Sequence, residues 1–392
     1  MRHTLTAGDD LPRAQNDQRP DLVVRAGSPA ALLRLVPHLL GFIPQASLVV
    51  IGVAPPRDRI RFTLRYDLPD PPEADLVADI AAHAIGVLSA QRLTAAVAVG
   101  YGPGRLVTPV ANELRDAARQ AEIDLREFLR VHDGRYWSYM CGNEACCPAD
   151  GVPFDATAAD PVEAEALAAV GDRVLASRAA LAARVAPLGG IAAESMRQAT
   201  RRAERHVTRL LAKVRRSGRL GAARHMIAAE GLAAVGAMIA RYRGGGKYTS
   251  DDEIARVTVA LRDLRVRDDA WARMDPAHAE AHRRLWTDVV RRAQPRYVAA
   301  PASLLAFVAW QSGDGALANV ALDRALADDS RYSMATLLQQ VITAGAPPSL
   351  ARLPMTPEEV AASYDDAEDD DDENLDHDPD MDDQDPDMDD EG

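Results

Sequence analysis

The feature that most constrains this chain is a change in hydrophobic period near residue 156. Before it, short runs rich in β-branched residues (SLVVIGV, IRFTLRYD, LTAAVAV) alternate with helix-length segments; after it such runs stop, alanine and leucine dominate, and apolar residues recur at helical spacing. Period 2 places every second side chain on one face of a strand, whereas period 3.6 lines one stripe of a helix. Strand and helix alternating in the first part read as α/β. We therefore expect an α/β domain over 21–155 followed by an all-α helical domain over 156–346. A chain of 392 residues with 47% hydrophobic content has enough apolar surface for more than one core.

Within the first part, DLVVRA reads as a short strand. Ser28 and Pro29 supply an N-cap and first helical position, and Gly41 a stop, for a helix over Pro29–Leu40. SLVVIGV and IRFTLRYD, separated by APPRDR, read as a hairpin of one buried and one half-exposed strand. A helix over Pro72–Ser89 leads into LTAAVAV, a continuous apolar run of the kind found inside a parallel sheet. A further helix starts near Val107.

Helix breaks in the second part are expected at Pro187–Gly190, Gly244–Gly246, Asp275–Pro276 and Pro347–Pro348. GDGALANVALDRALADDS resembles the second helix of a tetratricopeptide unit, with Gly313 and Asp314 at the turn and Ala318, Leu322, Ala325 and Leu326 at packing positions. A solenoid needs several stacked repeats, so one such hairpin predicts a pair packed into a bundle.

Charge is unevenly distributed. Of 59 acidic residues, 18 lie in Tyr364–Gly392, which has no Lys or Arg; the body then carries 41 acids against 45 bases, a net +4. A run of that composition cannot bury apolar surface to offset chain entropy. Residues 347–392 are therefore expected to be a linker and a disordered acidic tail, and residues 1–20 a flexible N-terminus. The polar start MRHTLTAGDDLPR and the absence of a bilayer-length apolar run predict no export signal and no membrane partner. Three cysteines are too few, and odd in number, for a disulfide framework; the expected location is the cytoplasm.

Three places concentrate chemistry. The turn GYGPGR follows LTAAVAV; Gly100, Gly102 and Gly104 would let backbone N–H groups approach an anion, with Arg105 as its charge partner and Arg65 and Asp67 near the same sheet edge. Trp137 and Ser138 would complete such a pocket. The dinucleotide fingerprint is not met, because Pro103 intrudes and the third glycine is one position early. The plain reading of the turn is a tight connection with no ligand.

Second, Cys141, Cys146 and Cys147 stand in WSYMCGNEACCPADGVPF at spacing C-x4-C-C. That spacing is neither paired C-x-x-C nor C-x-x-C with a later histidine pair, and adjacent cysteines are not expected to aim at one ion. A redox reading pairs Cys141 with Cys146 or Cys147 and leaves one thiol over. The reading favoured is structural: reduced thiols packing a loop closed by Pro148 and Asp150–Gly151, with Trp137 and Tyr139 as its lid, and no metal or cofactor.

Third, Arg197, Arg201, Arg205, Arg209 and Lys213 recur every fourth residue, placing five cations on one helix face. A solvated face is the plain reading; the functional ones are a polyanion, an unidentified acidic protein partner, or the chain's own tail. RGGGKYT is no phosphate loop, since Arg241 and Tyr248 stand where a glycine and a hydroxyl residue are required.

The segments LVPHLLGFIPQASLVVIGV, FTLRYDLP, GRYWSYMCGNEACCPADGVPF and APASLLAFVAWQSGDGALANVALDRALADDSRYSMATLL together resemble an actinobacterial family of unknown function. The matching residues are Pro37, Gly41, Ser47, Arg65, Asp67, Trp137, Ser138, Cys141, Cys147, Pro148 and Gly151. The resemblance implies no activity. The residues carry no Ser-His-Asp order, carboxylate pair or metal motif. The expected function is thus a cytoplasmic interaction or regulatory protein whose helical half contacts a partner. The alternative is a small-molecule enzyme or ligand sensor at the carboxyl end of the sheet.

Overall fold

A computed structural model describes residues 28–55, 59–159, 164–165, 167, 174–215, 220–246, 249–348 and 355–364. The expected strand DLVVRA, residues 1–20, Lys247, Tyr248 and the acidic run after Tyr364 lie outside them. The chain divides into two compact units, Met1–Arg178 and Ala179–Gly392.

In the first unit the elements run α1 (Pro29–Leu40), β1 (Ser47–Ala54), β2 (Arg59–Asp67), α2 (Ala74–Ala90), β3 (Ala95–Tyr101), α3 (Gly104–Gln120), β4 (Asp124–His132), β5 (Arg135–Ser138) and β6 (Val152–Pro153). Helix α1 begins as its sequence predicts: Ser28 accepts from the Ala31 amide, Pro29 opens the first turn, and Gly41 closes the helix in the left-handed conformation at φ 73°. The six strands form one mixed sheet in the order β2-β1-β3-β4-β5-β6.

The run LTAAVAV is not inside a parallel sheet in the full sense. β3 pairs parallel with β4 but antiparallel with β1. Its continuous apolarity reflects cover on both faces, which a central strand has whatever the direction of its neighbours. On one face Leu48, Val50, Ala96, Ala98 and Phe128 pack with Ala81, Ala84 and Leu88 of α2 and Val107, Val110 and Leu114 of α3. On the other, Val49, Ile51, Val99 and Leu129 are fully buried. Each such side chain contributes about 1.5–3 kcal/mol of burial free energy.

The helical unit contains α4 (Arg178–Ala183, beginning at the unit boundary), α5 (Gly190–Arg215), α6 (Leu220–Arg243), α7 (Asp251–Ala260), α8 (Leu264–Ala272), a 3-10 turn at Pro276–His278, α9 (Ala279–Arg292), α10 (Ala299–Gln311), α11 (Gly315–Asp328) and α12 (Ser333–Thr343). Residues 187–189, 244–246 and 275–276 separate helices as their Pro and Gly content predicts. Helix α10 is buried along its whole length from Ala299 to Trp310, which explains why APASLLAFVAWQ is apolar all round rather than on one stripe. It forms a hairpin with α11 through Ser312–Asp314, where Gly313 takes φ 78° and Asp314 accepts from the Leu317 amide at 3.0 Å.

A polar network joins four helices of this unit. Arg292 of α9 donates to the Thr249 carbonyl at 2.9 Å, to Asp251 of α7 at 2.6 Å and to Asp288 at 3.1 Å. Tyr242 of α6 donates to Asp288 at 2.8 Å, and Ser195 of α5 to Asp251 at 2.5 Å.

Candidate functional site

At the carboxyl end of β3, each expected ligand residue has a local structural role. A Cβ added to Gly100 would lie 2.2 Å from Val107 Cγ1, so the absent side chain allows α3 to pack directly on the strand. Gly102 occupies φ 140°, a conformation that side chains rarely adopt, while its amide donates to the Val131 carbonyl at 3.0 Å. Gly104 is the first residue of α3, and a Cβ there would stand 3.7 Å from the Arg130 guanidinium carbon. Arg105 forms a two-pronged pair with Asp70, its second prong 2.9 Å long. Hydrogen bonding from Arg105 holds the Asp70 carboxyl below the usual range, and the same contact raises the Arg105 pKa.

Arg65 is paired with its neighbour Asp67 and lies over the Phe42 ring, 5.5 Å from its centroid. The expected pocket joining Arg65, Gly102 and Trp137 is not formed. Arg65 shares a sheet row with Val49, Val99, Leu129 and Ser138, whereas Trp137 shares the adjacent row with Arg130, Gly100, Leu48 and Tyr66. Adjacent rows point to opposite faces, so Arg65 and Trp137 are separated by the sheet itself.

The cysteine loop is built from two anchors. At the end of β5, Ser138 Oγ accepts from the amides of Met140 and Cys141, both at 3.1 Å, and donates to Glu127 at 2.7 Å. Five residues on, the Asn143 carbonyl accepts from the amides of Cys146 and Cys147 at 3.2 and 2.8 Å, while its side-chain oxygen accepts from Ala145 at 3.0 Å. These anchors bring Cys141 Sγ to 3.1 Å from Cys146 Sγ and Cys146 Sγ to 3.7 Å from Cys147 Sγ. All three sulfurs lie within 4.8 Å of one another.

The expectation that Cys146 and Cys147 could not converge is therefore corrected. Successive side chains oppose each other in a strand, but Asn143–Cys147 is a turn and the alternation does not apply. Cys141 is the most acidic of the three, since hydrogen bonding with Cys146 stabilises its thiolate. Its hydrogen bond raises Cys146, and with burial pushes Cys147 up to about 12.

Trp137 braces the closing turn. Its Nε1 donates to the Ala149 carbonyl at 3.0 Å, Arg130 stacks 3.5 Å from its ring centroid, and buried Gly151, at φ 81°, approaches so closely that a Cβ would sit 2.5 Å from the ring. Tyr139 is not part of a lid. It turns toward the helix-covered core, bonding Thr108 at 2.7 Å and meeting Phe128 edge-on at 5.3 Å between centroids. Sequence reasoning missed Glu127, Arg130 and Asn143; the apolar residues of DLREFLRVH fall at 125, 128, 129 and 131 rather than at every second position, and the β3–β4 register shifts beside them, while Asn143 carries only a generic turn signal.

In the helical unit, Arg197, Arg201, Arg205, Arg209 and Lys213 are all exposed on α5, whose Met196, Ala199, Thr200 and Ala203 are buried. Of the nearby carboxylates, Glu194 pairs with Arg197 of the stripe, and the others are engaged elsewhere: Asp252 with Arg202, Glu230 with His206, and Glu204 with Arg296 and Tyr297. A shallow groove of about 220 Å³ lined by Ala234, Met238, Arg241, Glu253 and Arg256 lies between α6 and α7.

Fold and sites together define a mixed-sheet α/β unit followed by a helical unit, an architecture that fixes no activity by itself. The chain belongs to the DUF4192 family, a domain of unknown function, whose model matches residues 29–349. That match opens on the first residue of α1 and stops before the acidic run. No curated protein and no solved structure matches the chain. Among the described residues no helix is long and apolar enough to cross a membrane.

Proposed function

We propose that this is an interaction or regulatory protein whose helical unit engages a polyanion or an acidic partner through the outer face of α5. One observation carries the reading. Arg201, Arg205, Arg209 and Lys213 are exposed at four-residue spacing, and none has a carboxylate within 4.0 Å among the described residues. Like charges at that spacing weaken a helix by a few tenths of a kcal/mol per pair, a cost that a bound anion relieves. The tetratricopeptide-like reading of the α10–α11 hairpin belongs to the same class of function, a helical scaffold meeting a protein. The acidic run after Tyr364, tethered to the same chain, acts as a competitor at an effective concentration on the order of millimolar. A sensor pocket on the sheet has less support, because Arg65 and Arg105 already hold carboxylates.

Titration of full-length protein with a labelled DNA duplex and with a polyglutamate peptide across a salt series tests the proposal. Four phosphate contacts give a slope of log K against log salt of about −3 to −4. Reversing two charges, Arg201→Glu with Arg205→Glu, should weaken binding at least about tenfold and flatten that slope. Removing residues 365–392 should tighten binding at low salt and not at high salt. Equal curves for the parent and the charge-reversed protein would sink the reading.

A further inference from the structure

We propose that Cys141, Cys146 and Cys147 form a three-thiolate site for a soft d10 metal ion, Zn²⁺ or Cu⁺, with one coordination position open to solvent or to an external ligand. The geometry suits the chemistry. Zinc–sulfur bonds of about 2.3 Å in a tetrahedral arrangement put ligand sulfurs about 3.8 Å apart. The Cys141–Cys146 and Cys146–Cys147 separations of 3.1 and 3.7 Å fall below that value and all three sulfurs lie within 4.8 Å of one another, so closing on an ion requires sulfur shifts of no more than about 1 Å.

The backbone already holds the three ligands in place. The Ser138 hydroxyl fixes the start of the loop at Cys141, and the Asn143 carbonyl fixes Cys146 and Cys147 together. The ligand set is also selective: among the described residues no histidine or carboxylate joins the cluster, and an all-sulfur set favours soft ions over Mg²⁺ or Ca²⁺. On coordination each thiol releases its proton to solvent.

Two plainer roles explain less. Cysteines that act as small packing residues are buried, yet Cys146 is exposed and Cys141 and Cys147 are only half-buried. A disulfide between Cys141 and Cys146 would use two sulfurs at about 2.05 Å and leave Cys147, held in the same cluster, without a role.

The test uses the full-length protein, reduced and stripped of metal, titrated with Zn²⁺ against a chromophoric chelator and, anaerobically, with Cu⁺ against a Cu⁺-specific one. One equivalent of at least one ion should bind per chain, and Co²⁺ should give the intense sulfur-to-metal charge-transfer absorption of thiolate ligation. Cys141→Ser and Cys147→Ser should each weaken binding by more than about 100-fold, beyond the effect of losing an outer contact. Circular dichroism and the thermal midpoint of the apo variants, unchanged from the parent, would show that folding is intact. Bound metal should slow alkylation of all three thiols. The proposal is overturned if the reduced protein binds neither ion stoichiometrically, if Cys147→Ser binds as tightly as the parent, or if mild oxidation forms a Cys141–Cys146 disulfide equally fast with and without the ion.

Discussion

The two units differ in where they keep their charges. In the α/β unit the Arg105–Asp70 pair is open to solvent, its side chains 62% and 51% exposed, and even Arg65, itself 14% exposed, is paired with the solvent-open Asp67, while the sheet face under α2 and α3 is apolar. In the helical unit Arg292 is 11% exposed and Asp269 7%, and His282 is almost wholly buried. The contrast follows from how each kind of element uses its backbone. Strands hydrogen-bond to one another, so register and neighbour are set by the main chain. Helices satisfy their amides internally, and only side chains fix how one helix meets the next. Arg292, Asp251, Asp288 and Tyr242 supply that fixing here.

The most severe way to break this comparison is to remove the network's centre. Arg292→Ala removes the guanidinium shared by Asp251 and Asp288, leaving only the more distant Arg202 near Asp251, and should cost about 3 kcal/mol. Trp271, Trp286 and Trp310 report on the helical unit and Trp137 on the α/β unit, so denaturant unfolding followed by fluorescence should show the loss in the former. An unchanged midpoint would mean the network is ornamental.

His282 sharpens the same contrast through pH. Burial first, then the Arg243 guanidinium, lowers its pKa to about 4, from about 6.5 when unfolded. Asp275 and His278 also face it. The unfolded chain therefore binds the extra proton between these values. The stabilisation is complete above about pH 6.5 and is lost as pH falls toward 4, up to about 3 kcal/mol in all. His282→Gln should flatten the stability curve across that window; a curve as steep as the parent's would assign the loss to other groups.

In the α/β unit the expected effects are steric. Gly151→Ala puts a methyl group into the Trp137 ring at a φ that side chains avoid, costing about 2 kcal/mol, with a shift in Trp137 emission as the signature. The smallest change tests a single cap. Ser250 and Glu253 form a reciprocal capping box at the start of α7, and Ser250→Ala should cost about 1 kcal/mol by thermal unfolding.

Much of the fold was legible locally. The caps of α1, the β1–β2 hairpin and the switch from strand to helix all follow from residues within a few positions of one another. Strands β4 and β5 are not legible in this way, because the apolar residues of DLREFLRVH do not alternate and RYWS is four residues long. At the candidate sites the sequence identified which residues carry chemistry but not which ones meet. Gly100 is read from sequence as making room for an anion, whereas it makes room for Val107.

By itself, then, the sequence determined the change from strand-bearing to helical segments, the periodic cations of α5 and the presence of three thiols in one short segment. Those are properties of spacing along the chain. Tertiary structure alone decided that Arg65 and Trp137 fall on opposite faces of the sheet, that Arg292 gathers carboxylates from two helices, and that three sulfurs converge. Each of these depends on register, helix packing or turn geometry, where a shift of one residue reverses a side chain's direction and leaves the local pattern unchanged.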